Sequence, residues 1–312
     1  MRVLLVPDKK DWSYFAIAQA LVKHNTDPEL TIDVMALKGH VPEFWEREQS
    51  ADRLLIMGHQ MLELLDSRFF RAKVDGERYL TGIHSHHAFD SALKTDTDRY
   101  YFPPPKWLIR RLEEFRGVNV VSSTLQQLFE SNGLRTTYTP NGVDCDLFKP
   151  TAPLSMGGPL RVGVAYTPKH DRRKGVSEFI RPACEKAGAV LVEAKARSEQ
   201  HVKPEDMPAW YQGIDLYCCM SSSEGFSIAV LEAAACGRPI ISTRVGGSTE
   251  LIKSGTNGFL VDRTIEAIAD RLTWLQENRD QLYLMGLEAR SVAVADWSWQ
   301  KRAPAWLDFI RS

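Results

Sequence analysis

The chain has 312 residues, 44% hydrophobic and 25% charged, with 20 glycines and 16 prolines. That balance belongs to an ordinary globular protein and excludes disordered, collagen-like and disulfide-scaffold chains. Lysine plus arginine (39) against aspartate plus glutamate (40) leaves a formal charge of −1, so no global field draws the protein onto nucleic acid or acidic lipid.

The first half alternates short β-branched runs with helical patterns. Arg2–Val6 reads as a buried strand, and Trp12–Lys23 as a helix with Phe15, Ala16, Leu21 and Val22 on one side. Strands follow at Thr31–Leu37, Arg53–Met57, Tyr79–Ile83, Val118–Ser122 and Thr136–Thr139. At Pro150 the composition shifts to a linker-like stretch, Thr151-Ala-Pro-Leu-Ser-Met-Gly-Gly-Pro159. A second alternation then begins, with strands expected at 160–165, 189–194, 214–219, 238–242 and 258–261. Helices are expected at 175–187, 206–212, 227–236, 248–254, 264–277 and 279–293. The tail, 297–310, reads as an amphipathic helix with aromatic residues at 299, 306 and 309. Strands separated by helices imply parallel sheets covered on both faces, so the fold class is α/β. The expected layout is an N-terminal domain over 1–150, a second over 151–295, and a C-terminal helix over 296–312 that docks on its own domain or crosses back to the first.

Five cysteines, Cys145, Cys184, Cys218, Cys219 and Cys236, show no pairing rhythm and read as buried reduced thiols of a cytoplasmic protein. Met1-Arg-Val-Leu-Leu-Val-Pro7 is too short an apolar run for a signal segment, and no 18-residue apolar run follows. Neither half carries GxGxxG after a strand or a GxxxxGK[ST] loop.

The densest chemistry lies in Ser221-Ser-Ser-Glu-Gly-Phe-Ser-Ile-Ala-Val-Leu-Glu-Ala-Ala-Ala-Cys-Gly-Arg-Pro239. A buried strand runs into serines, Glu224 and Gly225, and a helix starts. Its first-turn amides and partial positive charge suit a phosphate, and Gly225 lets the backbone come close. Glu224 lies at the mouth of that site and Glu232 two turns down the helix, where two carboxylates can accept hydrogen bonds from two sets of sugar hydroxyls.

Glu224-x7-Glu232 resembles the Glu-x7-Glu motif of the family 4 retaining nucleotide-sugar glycosyltransferases, which have the GT-B fold. Three further blocks carry the resemblance: Ala209-Trp-Tyr-Gln-Gly-Ile-Asp-Leu before the motif, Ile240 to Asp262 after it, and Thr139-Pro-Asn-Gly-Val-Asp-Cys-Asp-Leu-Phe-Lys-Pro150. The resemblance is strong over 139–262 and weak over 1–135. It implies two Rossmann-like parallel-sheet domains facing a central cleft, and a UDP- or GDP-linked sugar as donor. Glu224 would contact the transferred sugar, Glu232 the ribose hydroxyls, and the amides of Phe226 and Ser227 the diphosphate. No metal cofactor is implied, because cationic side chains stabilise the leaving diphosphate.

Lys174-Gly175 matches the family's Lys-Gly, but the usual Arg after the first glycine of that segment is Val164 here. Lys169, Arg172 or Arg173 is left to supply the charge, with Arg173 favoured. Of three histidines in Thr81-Gly-Ile-His-Ser-His-His-Ala88, His84 matches a family histidine facing the transferred sugar, and His86 and His87 are acceptor-side candidates. A metal site at the three is the alternative. The family's N-terminal glycine-rich loop is missing. Asp8, Lys9, Lys10, Asp11 and Trp12 stand in its place and are read as acceptor-side residues. Tyr100 to Trp107 with Arg110 and Arg111 reads as a Pro-rich connection before a packed helix or as a membrane-surface or substrate lip.

The expected activity is retaining transfer from a nucleoside-diphosphate sugar to a glycan, lipid-linked or small-molecule acceptor. A nucleotide-sugar 2-epimerase, a non-catalytic nucleotide-sugar binder and a nucleic-acid glycosylating enzyme are the alternatives.

Overall fold

The computed structural model describes residues 1–10, 13–58, 61, 75–85, 103–196, 198 and 201–312. Two compact units emerge within them. One holds the chain up to Gly142 together with Trp299–Ser312, and the other holds Val143–Ser298.

The first unit is built on six parallel strands: β1 (Arg2–Val6), β2 (Thr31–Val34), β3 (Arg53–Ile56), β4 (Tyr79–Ile83), β5 (Gly117–Val120) and β6 (Thr137–Tyr138), in the order β2-β1-β3-β4-β5-β6. Apolar runs such as Val3-Leu-Leu-Val6 and Leu54-Leu-Ile56 are fully buried, as a sheet covered on both faces requires. The helix Ser13–Lys23 buries Tyr14, Ile17, Ala18 and Leu21. This corrects the expected face: 14, 17, 18 and 21 follow the i, i+3, i+4, i+7 spacing, which turns Ala16 and Val22 outward. The tail helix, Trp299–Arg311, buries Trp299, Trp306 and Phe309 in this same unit. Trp306 donates its indole N–H to the Pro140 carbonyl at 2.9 Å, so the one polar atom of a fully buried ring is satisfied.

Five parallel strands form the second sheet: β7 (Arg161–Tyr166), β8 (Val190–Lys195), β9 (Leu216–Cys219), β10 (Ile240–Ser242) and β11 (Gly258–Leu260), in the order β11-β10-β9-β7-β8. The chain leaves β7 to build β8 on one side and returns to build β9 on the other. The carboxyl ends of β7 and β9 therefore flank a topological switch point, where the connections diverge and leave a crevice.

Two helices differ from expectation. The segment expected as one helix over 175–187 is a wide π-turn, Val176–Ile180, followed by an α-helix, Arg181–Ala187. Pro182 has no N–H to continue an α-helical ladder, and the turn before it widens, with the Ile180 amide reaching the Gly175 carbonyl at 3.0 Å. The helix expected over 248–254 stops at Leu251. There the Asn257 side-chain amide takes the Leu251 carbonyl at 2.9 Å and closes the last turn. No helix among the described residues is long and apolar enough to cross a membrane.

Candidate active site

The switch point of the second sheet collects three loops. After β7 the chain makes one helical turn, Asp171–Lys174, and ends it at Gly175, whose φ of +66° is left-handed. A side chain there would be strained, and its Cβ would also press to 2.8 Å from the Met220 carbonyl oxygen. This turn presents Arg173 and Lys174 to the loop after β9. The Arg173 carbonyl accepts the Ser222 amide at 2.9 Å, and its guanidinium Nη1 donates to the Ser223 carbonyl at 2.9 Å.

Glu224 lies in that second loop and meets both cations. Its Oε1 is 2.5 Å from Lys174 Nζ and 3.3 Å from Arg173 Nη1, and it accepts the Ser221 hydroxyl at 2.7 Å. Burial alone would raise the carboxyl pKa. The two cations and the hydrogen bonds from Lys174 and Ser221 outweigh it and hold the group at about 2. The carboxylate is thus ionised at any working pH, and two cations against one anion leave a positive excess beside it.

The helix Ile228–Ala235 follows at once. Its N-cap, Ser227, makes no side-chain cap bond, so no side chain of the cap satisfies the first-turn amides, which carry the helix's partial positive charge. The third loop, after β10, packs beneath. Gly246 and Gly247 approach so closely that a Cβ on either would collide, with the Gly225 carbonyl and the Phe226 ring respectively. Phe226 lies between Gly247 and Trp297, its ring centroid 4.8 Å from that of Trp297. The Gly247 amide donates to the Gly225 carbonyl at 2.9 Å, and the Thr243 hydroxyl to the Ser221 carbonyl at 2.7 Å.

Glu232 sits on the same helix in a different electrostatic setting. It is half-buried and takes a 2.8 Å hydrogen bond from the Tyr211 hydroxyl. Burial raises its pKa and that bond lowers it, and burial wins, to about 7.

The structure therefore brings Lys174, Arg173, Glu224, Gly225, Phe226 and Ser227 to one place, with Glu232 about one turn into the helix. Of the three candidate cations, Arg173 reaches Glu224, whereas Lys169 and Arg172 are exposed. Val164 is 2% exposed within the apolar core of this sheet, so no charge can be placed there without rebuilding it.

His84 belongs to the first unit. Its ring packs edge-on against Tyr14 (centroids 4.7 Å apart) and beside Trp306 (5.7 Å). Asp11, Trp12, His86 and His87 lie outside the described residues, as do residues 100–102 of the proposed lip. The helix Lys106–Leu112 beyond that lip buries Leu108 and Leu112 and leaves Trp107 63% exposed. Among the described residues, no group of three or more His, Cys, Asp or Glu side chains is placed to hold a metal ion.

Two residues that organise the site carry no motif. Arg263, after β11, donates to the Arg172 carbonyl at 2.6 Å and the Met220 carbonyl at 2.9 Å, with its guanidinium 4.5 Å above the Phe179 ring. It ties the cationic turn to the end of β9. The second is Tyr211, the partner of Glu232, which lies inside one of the recognised blocks. The cue to Arg263 is a charged group shortly after a strand, which is common, and the cue to Tyr211 is its place in that block, which does not name its partner.

Residues 179–291 match the family described as glycosyl transferases group 1. Over 284 residues the chain is 27% identical to a GDP-mannose-dependent α-(1-6)-phosphatidylinositol monomannoside mannosyltransferase of Mycobacterium tuberculosis, covering 77% of this chain and 71% of that one. It is 33% identical over 135 residues to a D-inositol 3-phosphate glycosyltransferase of Corynebacterium urealyticum, covering 42% and 32%. The crystal structure of HepE of Anabaena, solved with UDP and glucose, superposes over 100% of both chains with a TM-score of 0.73 at 17% identity. The fold is of the GT-B type, and the segment 179–291 resembles the group 1 glycosyltransferases. The Glu-x7-Glu pair falls inside the matched segment, and Arg173 and Lys174 lie just before it.

Proposed function

We propose that the chain transfers a sugar, with retention of anomeric configuration and without a metal ion, from a UDP- or GDP-linked donor to a hydroxyl of a glycan, lipid-linked or small-molecule acceptor. The observation that carries this reading is the placement of Lys174 and Arg173 around Glu224, beside the uncapped start of the helix Ile228–Ala235. A departing diphosphate gains negative charge, and preorganised cations and amides stabilise that charge without reorganising, by several kcal/mol in a dry site. In this reading Glu224 holds the transferred sugar and Glu232 the ribose hydroxyls, while the amides of Phe226 and Ser227 receive the diphosphate. The acceptor attacks from the face the diphosphate leaves, and the diphosphate oxygen takes its proton. The donor class has support from the HepE complexes with UDP and UDP-glucose and from the GDP-mannose dependence in the mycobacterial relative's name.

The test is nucleotide release from UDP-glucose and from GDP-mannose, with the anomeric configuration of any product read by NMR. Glu224→Ala and Lys174→Ala should each lower the rate by about tenfold or more, and EDTA should leave it unchanged. Undiminished turnover by both variants refutes the residue roles. Loss in EDTA with recovery in Mn²⁺ refutes the metal-free mechanism, and an inverted product refutes retention.

A further inference from the structure

The two glutamates differ in how they are held. Glu224 is fixed by cations, and Glu232 by a phenol. The Tyr211 ring is wholly buried, edge-on to Trp210 (centroids 5.0 Å apart) and to Phe148 (5.9 Å). Its own carbonyl accepts Arg238 Nε at 2.8 Å, and Arg238 is 1% exposed. The ring therefore cannot swing. Its hydroxyl has one proton and two acceptors within reach: Glu232 Oε2 at 2.8 Å and the Ala229 carbonyl at 3.2 Å.

We propose that Tyr211 is a positioning residue for donor binding: its hydroxyl clamps Oε2 of the ionised Glu232, so that Oε1 is presented to the hydroxyls of the donor's pentose. The proposal rests on the reading of Glu232 as the ribose clasp. The hydroxyl proton serves Glu232 while the carboxylate is charged. It is free to turn to the Ala229 carbonyl once Glu232 is protonated, and the clamp then opens. The ionisable groups around Glu232 are Tyr211 from the helix Met207–Gln212, Tyr217 from β9, and Cys236 from the next turn of its own helix. Arg238 and Arg290 act on Cys236, and Arg238 also holds the Tyr211 carbonyl. Burial raises the Glu232 pKa to about 7 and the phenol opposes that rise, so the clamp works in the range where a proton decides the outcome. The positioning is therefore measurable as a pH profile, which loss of packing alone would not move.

The experiment is calorimetric titration of the full chain with UDP and GDP, and with their 2′,3′-dideoxy counterparts, between pH 6 and 9. In the wild type, affinity for the tighter ribonucleotide should rise through a midpoint near that of Glu232. Tyr211→Phe should move the midpoint upward and weaken binding at pH 7 by about tenfold, the scale of a hydrogen bond to a charged group. It should leave binding at pH 9 and binding of the dideoxy nucleotide less affected. Glu232→Asp, which withdraws the carboxylate from an intact phenol, should move the midpoint in the same direction. An unshifted midpoint in Tyr211→Phe, or an unshifted midpoint in Glu232→Asp, overturns the proposal. If Glu232→Gln binds the ribonucleotide as tightly as the wild type does at pH 9, the ribose-clasp reading itself fails, and the two failures are told apart.

Discussion

Replacing either motif glutamate by its isosteric amide should change the stability of the ligand-free protein, and the two changes should have opposite signs. Glu224 has its pKa held at about 2 against an ordinary 4.5. At about 1.4 kcal/mol per unit, that depression contributes about 3 kcal/mol of folded-state stability. A depressed acid gives its full contribution above the unfolded value and loses it as pH falls through the folded one. The loss therefore runs from about pH 4.5 down to 2. Glu232 is raised from 4.5 to about 7, so it does the reverse. Below pH 4.5 it costs nothing; the cost grows as pH rises through the folded value and reaches about 3 kcal/mol at pH 8. Glu224→Gln leaves Lys174 and Arg173 without their counter-charge and should lower the melting temperature at both pH 5 and pH 8. Glu232→Gln should raise it at pH 8 by several degrees, at about 2–4 °C per kcal/mol for a unit of this size, and do little at pH 5. The assay is thermal unfolding followed by circular dichroism at the two pH values, without nucleotide. Stabilisation by Glu224→Gln, or destabilisation by Glu232→Gln at pH 8, would refute the electrostatic assignment.

Arg263→Ala should destabilise the second unit by about 1–3 kcal/mol, because the partly buried Met220 carbonyl and the exposed Arg172 carbonyl lose a charged donor. It should also slow turnover through the loosened Arg173–Lys174 turn; Arg263→Lys should fail to restore the rate, since an ammonium cannot span both carbonyls or lie flat on Phe179. A variant with the wild-type rate and melting temperature would show that the turn holds itself. Gly247→Ala should cost about 1–3 kcal/mol by overpacking against Phe226 and should weaken nucleotide binding, read by titration. Its backbone φ of −66° accepts alanine without strain, so any loss reports the contact with Phe226 alone.

The sheets were legible because buried parallel strands read as short apolar runs. Val3 to Val6 and Leu216 to Cys219 could hardly be anything else. The position of the site was legible too, since Glu224, Gly225 and the serines fall directly after a strand and before a helix. The choice between Lys169, Arg172 and Arg173 was not. Consecutive residues on one helical turn point in different directions, and only the register of Asp171–Lys174 settles which one reaches Glu224. Arg263 escaped notice because its partners lie 91 and 43 positions away, and no local spacing encodes such a bond. Pro182 lies inside the segment expected as one helix over 175–187, and the effect of its missing amide shows only in the widened turn before it.

The contrast between the two glutamates follows from which strands flank the motif helix. Glu224 stands at its mouth, where the loop after β7 arrives with two cations across the switch point. Glu232 stands about one turn into the helix, beside the Met207–Gln212 segment, where its hydrogen-bond donor is the neutral Tyr211 phenol. One position is held charged at every working pH, and the other sits at the balance point of a proton. Under the proposed function, a sugar-holding carboxylate next to a leaving diphosphate must not take up a proton as charge builds, and two fixed cations would prevent that. A carboxylate that only grips a pentose can tolerate protonation, and its grip then becomes dependent on pH. The same eight-residue spacing thus yields one group built for constancy and one built for release, and the difference comes from tertiary neighbours that the motif itself does not contain.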